Sequence, residues 1–117
     1  MDLAVECCEA AKTFPSDERY GLAAQLKRSS VSVPSNIAEG RGRFGIGSFM
    51  YHLSVANGSL MEVETQLLIA LRLGYLTGQA ADVLLKRTRQ VRCLLAGLIR
   101  ALRTNQQSPD SGKRIPG

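Results

Sequence analysis

Few side chains in this sequence could act as acid–base groups or bind a metal. The only histidine is His52, and residues 45–51 before it contain no acid. Two-metal sites in helical bundles need Glu-x-x-His pairs together with further inward-facing glutamates, and this pattern is missing. A single histidine also gives no recognisable catalytic triad or zinc motif. We therefore predict no metal and no other cofactor, and we interpret His52 as an exposed or boundary residue of a helix.

Three glutamates, Glu39, Glu62 and Glu64, could act as general acids or bases if two of them were buried close together. A structural interpretation is favoured instead. Ser59, Glu62 and Gln66 recur at helical spacing directly beside an apolar stripe, where hydrogen bonds fix the register of helices. The predicted structural polar network contains Asn36, Glu39, Ser59, Glu62 and Gln66.

Residues 40–47 contain four alternating glycines and two arginines, Arg41 and Arg43. Backbone N–H groups near a helix start can bind an anion. However, the segment follows a helix and lacks the Gly-Lys-Ser/Thr ending of a phosphate-binding loop, so it does not predict a nucleotide site. We interpret it as a mobile connector on which the two arginines could contact phosphate without reading a base sequence.

A ridge of basic residues follows one face of the last predicted helix. At about 100° per residue its members fall within roughly 120°, away from the apolar stripe. Such a ridge could follow a nucleic-acid backbone, although a solvated helix face gives the same pattern and no aromatic residues interleave it. The members of this helix-four ridge are Lys86, Arg89, Arg92, Arg100 and Arg103.

The composition is that of one small basic domain. Fifteen Lys and Arg against ten Asp and Glu give a net charge of +5, which favours an anionic partner but also serves solubility. Cys7, Cys8 and Cys93 form neither a disulfide framework nor a zinc motif. Because no signal peptide or membrane-crossing apolar run is present either, we predict a cytoplasmic protein with reduced thiols and no membrane partner.

Apolar residues at helical spacing predict an all-α fold. The first helix is short and ends before Pro15, and Ser16 is predicted to cap the second helix, which continues to Gly40. Pro34 lies inside the second helix and predicts either a kink or two shorter helices. The apolar positions are Leu3, Cys7, Ala11 and Phe14 in the first helix, and Leu22, Leu26, Val33 and Ile37 in the second.

The two later helices have the clearest patterns. Gly74 is placed to end the third helix and Thr77 to cap the fourth, so the turn between them is short. Short turns predict an up-and-down antiparallel four-helix bundle over residues 1–103. Residues 104–117 are polar and predicted to be a disordered tail. The seams are Phe49, Leu53, Ala56, Leu60, Val63, Leu67 and Ala70, then Leu84, Thr88, Val91, Leu95, Leu98 and Leu102.

Much of residues 14–76 resembles one family, the four-helix-bundle proteins encoded by intervening sequences of bacterial 23S ribosomal RNA genes. The resemblance starts at Phe14-Pro15 and continues through residues 20–43, which read YGLAAQLKRSSVSVPSNIAEGRGR. It resumes in the third helix at Phe49, Leu53 and Ala56, then at GSL (58–60), EVETQL (62–67) and LGYL (73–76). Both ends of the chain resemble the family in helical pattern alone.

The resemblance implies an up-and-down four-helix bundle that forms homopentamers. More distant relatives, which accompany the reverse transcriptase of diversity-generating retroelements, bind nucleic acid. Together with the basic residues, this predicts a non-enzymatic, self-assembling bundle that binds RNA or DNA without sequence specificity. Two alternatives stay open: a protein-interaction adaptor using the wide apolar face of the fourth helix, and, ranked last, an enzyme using Glu39 and Glu62.

Overall fold

Four α-helices make up most of the chain in the computed structural model, which describes residues 1–107 and, of their side chains, those of residues 1–104. They are α1 (Asp2–Ala11), α2 (Leu22–Arg41), α3 (Ile46–Arg72) and α4 (Gly78–Gln107), with one 3-10 turn, Ser16–Glu18, between α1 and α2. Residues 1–107 contain no β-strand. The predicted all-α class with four helices is confirmed.

Helices that are consecutive in the chain pack against each other, and a smaller contact between α1 and α4 closes the bundle. Contacts between side chains show the directions of the longer helices. Ser29 of α2 bonds to Glu62 of α3, whereas Asn36, later in α2, bonds to His52, earlier in α3. Glu64 of α3 likewise pairs with Arg92 of α4, so α3 is antiparallel to α2, and α4 runs back beside α3.

The core lies where the predicted seams meet. Its largest fully buried side chains include Leu26 of α2 and four apolar residues of α3, at positions 53, 60, 63 and 67. The short α1 contributes Leu3, Cys7 and Ala11, which are also buried. Each large aliphatic side chain buried in this way contributes about 1.5–3 kcal/mol. The α3 seam therefore supplies the centre of the fold.

The start of α2 differs from the prediction. Ser16 begins the 3-10 turn rather than capping α2, which starts six residues later at Leu22. The cap comes instead from Glu18, whose carboxylate accepts a hydrogen bond from the Leu22 N–H at 3.0 Å and another from the Tyr75 hydroxyl at 2.8 Å. The Leu22 bond, followed by the Tyr75 bond, lowers the pKa of Glu18. Glu18 thus joins the α1–α2 connection to the α3–α4 turn.

One continuous α2 contains Pro34, so the structure has a single helix here and not two shorter ones. The kink near Pro34 stays a prediction.

The turn between α3 and α4 agrees with the prediction. Gly74 has φ of 80°, and the Tyr75 N–H donates a hydrogen bond to the Ala70 carbonyl at 2.8 Å, which ends α3 as predicted. Thr77 accepts a hydrogen bond from the Ala80 N–H and caps α4, also as predicted.

The fourth helix is longer than the sequence pattern suggested. It continues past Arg103 to Gln107, so residues 104–107 extend the helix instead of beginning the predicted tail. The rest of that tail, residues 108–117, lies outside the described residues.

Candidate nucleic-acid interface

The structure divides the helix-four ridge into paired and unpaired side chains. Arg92 Nη1 lies 2.7 Å from Glu64 Oε1 of α3, and both side chains are partly buried. Lys86 Nζ lies 3.6 Å from Asp82 Oδ2, one turn earlier on the exposed side of α4. Arg92 therefore joins two helices, and the charge of Lys86 is partly neutralised within its own helix.

The other three ridge residues, Arg89, Arg100 and Arg103, are exposed, and no carboxylate among the described side chains pairs with them. Arg100 and Arg103 line a cleft between α4 and α3 together with Ser54 and Asn57 of α3. Arg89 lies about three turns earlier in α4, roughly 16 Å from Arg100 along the helix axis at ~1.5 Å per residue. The unpaired charge of the ridge therefore lies mainly near the C-terminal end of α4.

The connector is shorter than predicted. Arg41 is the last residue of α2 and Gly47 already belongs to α3, so only residues 42–45 lie between the helices. Arg43 Nη2 lies 2.6 Å from Glu39 Oε2, and this hydrogen bond lowers the pKa of Glu39. Arg41 and Arg43 were both predicted to contact phosphate. Arg41 is exposed and has no carboxylate partner among the described residues, whereas Arg43 is paired with Glu39.

Four of the five predicted network residues lie between α2 and α3, where they form two hydrogen-bonded groups. In the first group Gln66 donates to Ser29 Oγ at 3.2 Å, and Ser29 donates to Glu62. In the second group the Ser59 hydroxyl donates to Ser32 Oγ at 2.8 Å, and the Asn36 amide donates to the same oxygen at 3.0 Å. Glu39 lies outside both groups, because its carboxylate faces Arg43 on the surface.

His52 completes the second group and was misplaced by the sequence analysis. It is only 9% exposed, so the prediction of an exposed or boundary residue is wrong. Its Nδ1 lies 3.2 Å from Asn36 Oδ1. Because the Asn36 amide nitrogen donates to Ser32, its Oδ1 is the acceptor of a hydrogen bond from the His52 Nδ1–H. The imidazole therefore acts as a polar contact between helices.

The described residues offer no metal centre, since no three His, Cys, Asp or Glu side chains among them are grouped so that they could hold an ion. Across the same part of the chain, no helix is both long and apolar enough to cross a bilayer. Cys7 is buried, Cys8 is partly buried and Cys93 is exposed, and all three are free thiols.

A sequence model of the 23S rRNA-intervening sequence protein family matches residues 1–97. The chain belongs to this family. Its fold is also similar to a crystal structure of a protein of unknown function from the S23 ribosomal protein family of Bacteroides thetaiotaomicron. The two share 22% sequence identity with a TM-score of 0.79, over 84% of this chain and 92% of the other. No curated protein matches the chain in sequence.

The match to the 23S rRNA-intervening sequence protein family ends at residue 97, so Arg100 and Arg103 lie beyond it. Arg41, Arg89 and the groups between α2 and α3 lie within it. The arginines of the α3–α4 cleft are thus a feature of this chain that the family match does not describe.

A basic depression on α2 was missed by the sequence analysis. Arg19, Lys27 and Arg28 line it beside Tyr20, whose side chain is 87% exposed, and the Arg19 guanidinium lies 5.9 Å from the Tyr20 ring centre. The signal was present in the sequence, because positions 20, 24, 27, 28 and 31 fall on one side of a helix. The apolar positions of the same helix predicted only its buried face, and these basic residues lie on another face.

Proposed function

We propose that this protein is a non-enzymatic subunit that assembles with itself, as a homopentamer, and binds RNA or DNA through their phosphates without reading sequence. One observation carries the binding part: the unpaired arginines of the described chain include Arg41, Arg89, Arg100 and Arg103, which lie on α4 or at the end of α2. Phosphate contacts by arginine give affinity without base readout.

The C-terminal end of α2, where Arg41 lies, and the C-terminal end of α4 point toward the same end of the bundle. Since α3 starts at Ile46 and α4 runs back beside it, the C-terminal half of α4 returns toward the α2–α3 turn. Arg41, Arg100 and Arg103 can therefore face one extended polyanion. Arg43 and Lys86 contribute less to this charge, because each has a carboxylate partner.

Self-assembly is supported by two separate apolar surfaces. The first, here called the α1–α2 groove, has a volume of about 600 Å³ and is lined by apolar side chains that include Val5, Val31 and Pro34. The second, the α3 stripe, consists of Met61, Leu68 and Ile69, all more than 40% exposed. Closed rings with an odd number of subunits need two different surfaces that contact each other head to tail. The groove and the stripe meet this requirement.

Assembly strengthens binding by a subunit of modest charge. A chain with net charge +5 attracts a polyanion weakly, whereas a ring presents five copies of the same arginines to one strand. Linked sites of this kind raise affinity without any new contact. In the proposed function the chains therefore assemble first, and the assembly then binds the nucleic acid.

The non-enzymatic part of the proposal rests on His52, and the cytoplasmic part rests on the cysteines. His52, the one imidazole, is held between helices by Asn36 and is not paired with a nucleophile. The three free thiols fit a reducing compartment.

The first test is the mass of the purified protein by light scattering, followed by the ratio of absorbance at 260 and 280 nm before and after a high-salt wash. We expect five times the mass of one chain and bound nucleic acid that salt removes. A monomer would overturn the assembly part. A preparation that retains no nucleic acid and binds no added RNA would overturn the binding part.

The adaptor hypothesis is kept because of one observation on α4. Leu94 is 74% exposed and lines a shallow depression together with Arg89, Gln90 and Cys93. Exposed apolar residues flanked by charge are typical of protein-binding surfaces. The substitution Leu94→Ser separates the two functions, because it should leave RNA affinity unchanged and abolish binding of a protein partner.

A further inference from the structure

We propose that the cleft between the C-terminal half of α4 and the N-terminal half of α3 is a binding site for one phosphate group, held by Arg100 and Arg103. This inference rests on the proposed function and assigns a specific site within it. The cleft has a volume of about 400 Å³, which lies within the size range of small-ligand sites. The ligand is a tetrahedral phosphate, either a phosphodiester of a nucleic-acid backbone or the phosphomonoester of a free nucleotide.

The donors come from two helices at matching spacing. Arg100 and Arg103 are separated by three residues on α4, and Ser54 and Asn57 by three residues on α3, so each pair shares one face of its helix. Two packed antiparallel helices hold these four side chains around the same space. A site built on helices keeps its geometry better than one on a loop. In this respect the cleft differs from the depression on α2, which is open and lined mostly by one helix.

The chemistry of the lining is that of an anion site. Two guanidinium groups, one hydroxyl and one amide can all donate hydrogen bonds, and no carboxylate lines the cleft. Ala96 and Ile99 form an apolar wall beside them, which lowers the local dielectric and strengthens contacts to an anion. Guanidinium groups bind phosphate through two parallel hydrogen bonds, so two arginines can contact most of its oxygens.

The four polar side chains also have no other role among the described residues. None of them has a side-chain hydrogen bond or an ion pair within the described part of the chain, whereas Arg43, Lys86, Arg87 and Arg92 each have a carboxylate partner. The Arg100 guanidinium lies back along α4, close to Gly97, where a β-carbon would lie 4.0 Å from its Nη2.

The test compares two variants of equal charge. Arg100→Gln/Arg103→Gln removes both cationic groups of the cleft, and Lys12→Gln/Arg72→Gln removes two exposed ones at the opposite end, near the Glu18–Tyr75 hydrogen bond. The full chain is measured with a fluorescent RNA oligonucleotide, after light scattering has shown equal masses. We expect the cleft variant to bind about tenfold more weakly and the control to change less than about twofold. Equal losses in both variants would overturn the cleft while leaving nucleic-acid binding intact.

A second measurement detects the phosphate directly. Wild-type protein is titrated with inorganic phosphate, then with a mononucleotide, against a chloride control of equal ionic strength, and the amide NMR signals of residues 54, 57, 97 and 100 are followed. We expect saturable shifts with phosphate and none with chloride. The variant Asn57→Asp, which places a carboxylate in the cleft that Arg100 lines, should abolish them because its negative charge repels the anion.

The two measurements separate failure of the cleft from failure of the proposed function. Phosphate shifts without any RNA binding would support the cleft as a site for a free phosphomonoester and overturn the nucleic-acid function. RNA binding without phosphate shifts in the cleft, and with equal losses in both variants, would overturn the cleft alone.

Discussion

Glu64 of α3 and Arg92 of α4 form an ion pair of 2.7 Å between two helices, with both side chains partly buried. The helix-four ridge is therefore not made only of residues that are free to bind an anion, because Arg92, its central arginine, stabilises the bundle. The Arg92 guanidinium also lies 3.8 Å from the Met61 sulfur. Binding of a polyanion by Arg92 would require this pair to break.

The first prediction concerns that pair. We expect Arg92→Gln to lower the free energy of unfolding by about 1–2 kcal/mol, since it leaves a half-buried Glu64 without its partner. Lys86→Gln removes the same charge from the exposed pair with Asp82 and should change stability by less than about 0.5 kcal/mol. Urea denaturation of both variants measures the difference. Equal losses would contradict a structural role for Arg92.

The second prediction concerns the approach of α2 to α3. A β-carbon at Gly40 would lie 2.9 Å from the His52 Cβ and 3.0 Å from Phe49 Cδ1, so Gly40→Ala should destabilise the protein by about 1–3 kcal/mol. Gly58 provides the control, because a β-carbon there meets nothing within 4 Å. Gly58→Ala should raise stability by about 0.5–1 kcal/mol through helix propensity. Thermal unfolding should show opposite signs, and two stabilised variants would refute the close approach.

The third prediction follows from the lowered pKa of Glu18. A carboxylate whose pKa is lower in the folded state stabilises the fold fully above its ordinary value of 4.5, and this contribution disappears as the pH falls through the folded-state value. Glu18→Gln should therefore lower stability near neutral pH, and the difference from wild type should shrink well below pH 4.5. Urea denaturation of wild type and Glu18→Gln, near neutral pH and well below pH 4.5, measures the difference in their free energies of unfolding. A difference that does not change with pH would mean that the charge of Glu18 is unimportant.

The fourth prediction uses the three cysteines to test the packing of α1. Burial raises the pKa of Cys7 to about 12, and the thiolate is the reactive form, so Cys7 should resist alkylation in the folded protein. Cys93 is exposed and should react rapidly under the same conditions. Mass spectrometry of peptides after timed labelling gives both rates, and labelling in urea serves as control. Equal labelling of Cys7 and Cys93 without urea would show that α1 is not docked.

The sequence predicted the helices and their buried faces because the apolar spacing in α3 and α4 is regular. The same rule did not predict the α2–α3 interface, where Ser29 and Ser32 of α2 lie among polar side chains. They are tolerated there because each meets a polar partner from α3, and a pattern read along one helix cannot show its partner. His52 was misplaced for this reason, since its burial depends on Asn36 across the interface.

The basic residues show a second limit of prediction from the sequence. Their positions on one face of α4 follow from the helical period, but their availability does not. Arg92 and Lys86 have carboxylate partners, whereas Arg100 and Arg103 line a cleft without any. Which arginines can bind a phosphate depends on side chains of α3 that are about 30 to 50 residues away in sequence, and only the packed bundle brings them together.

The salt dependence of RNA binding tests the central claim most directly. Affinity of the assembled wild-type protein for a fluorescent single-stranded RNA is measured by anisotropy between about 50 and 200 mM KCl. We predict that the logarithm of the binding constant falls linearly with the logarithm of salt concentration, with a slope of about −3.5, equivalent to about five phosphate contacts at ~0.7 per phosphate. No binding at the lowest salt concentration, or an affinity that does not change with salt, would contradict the account.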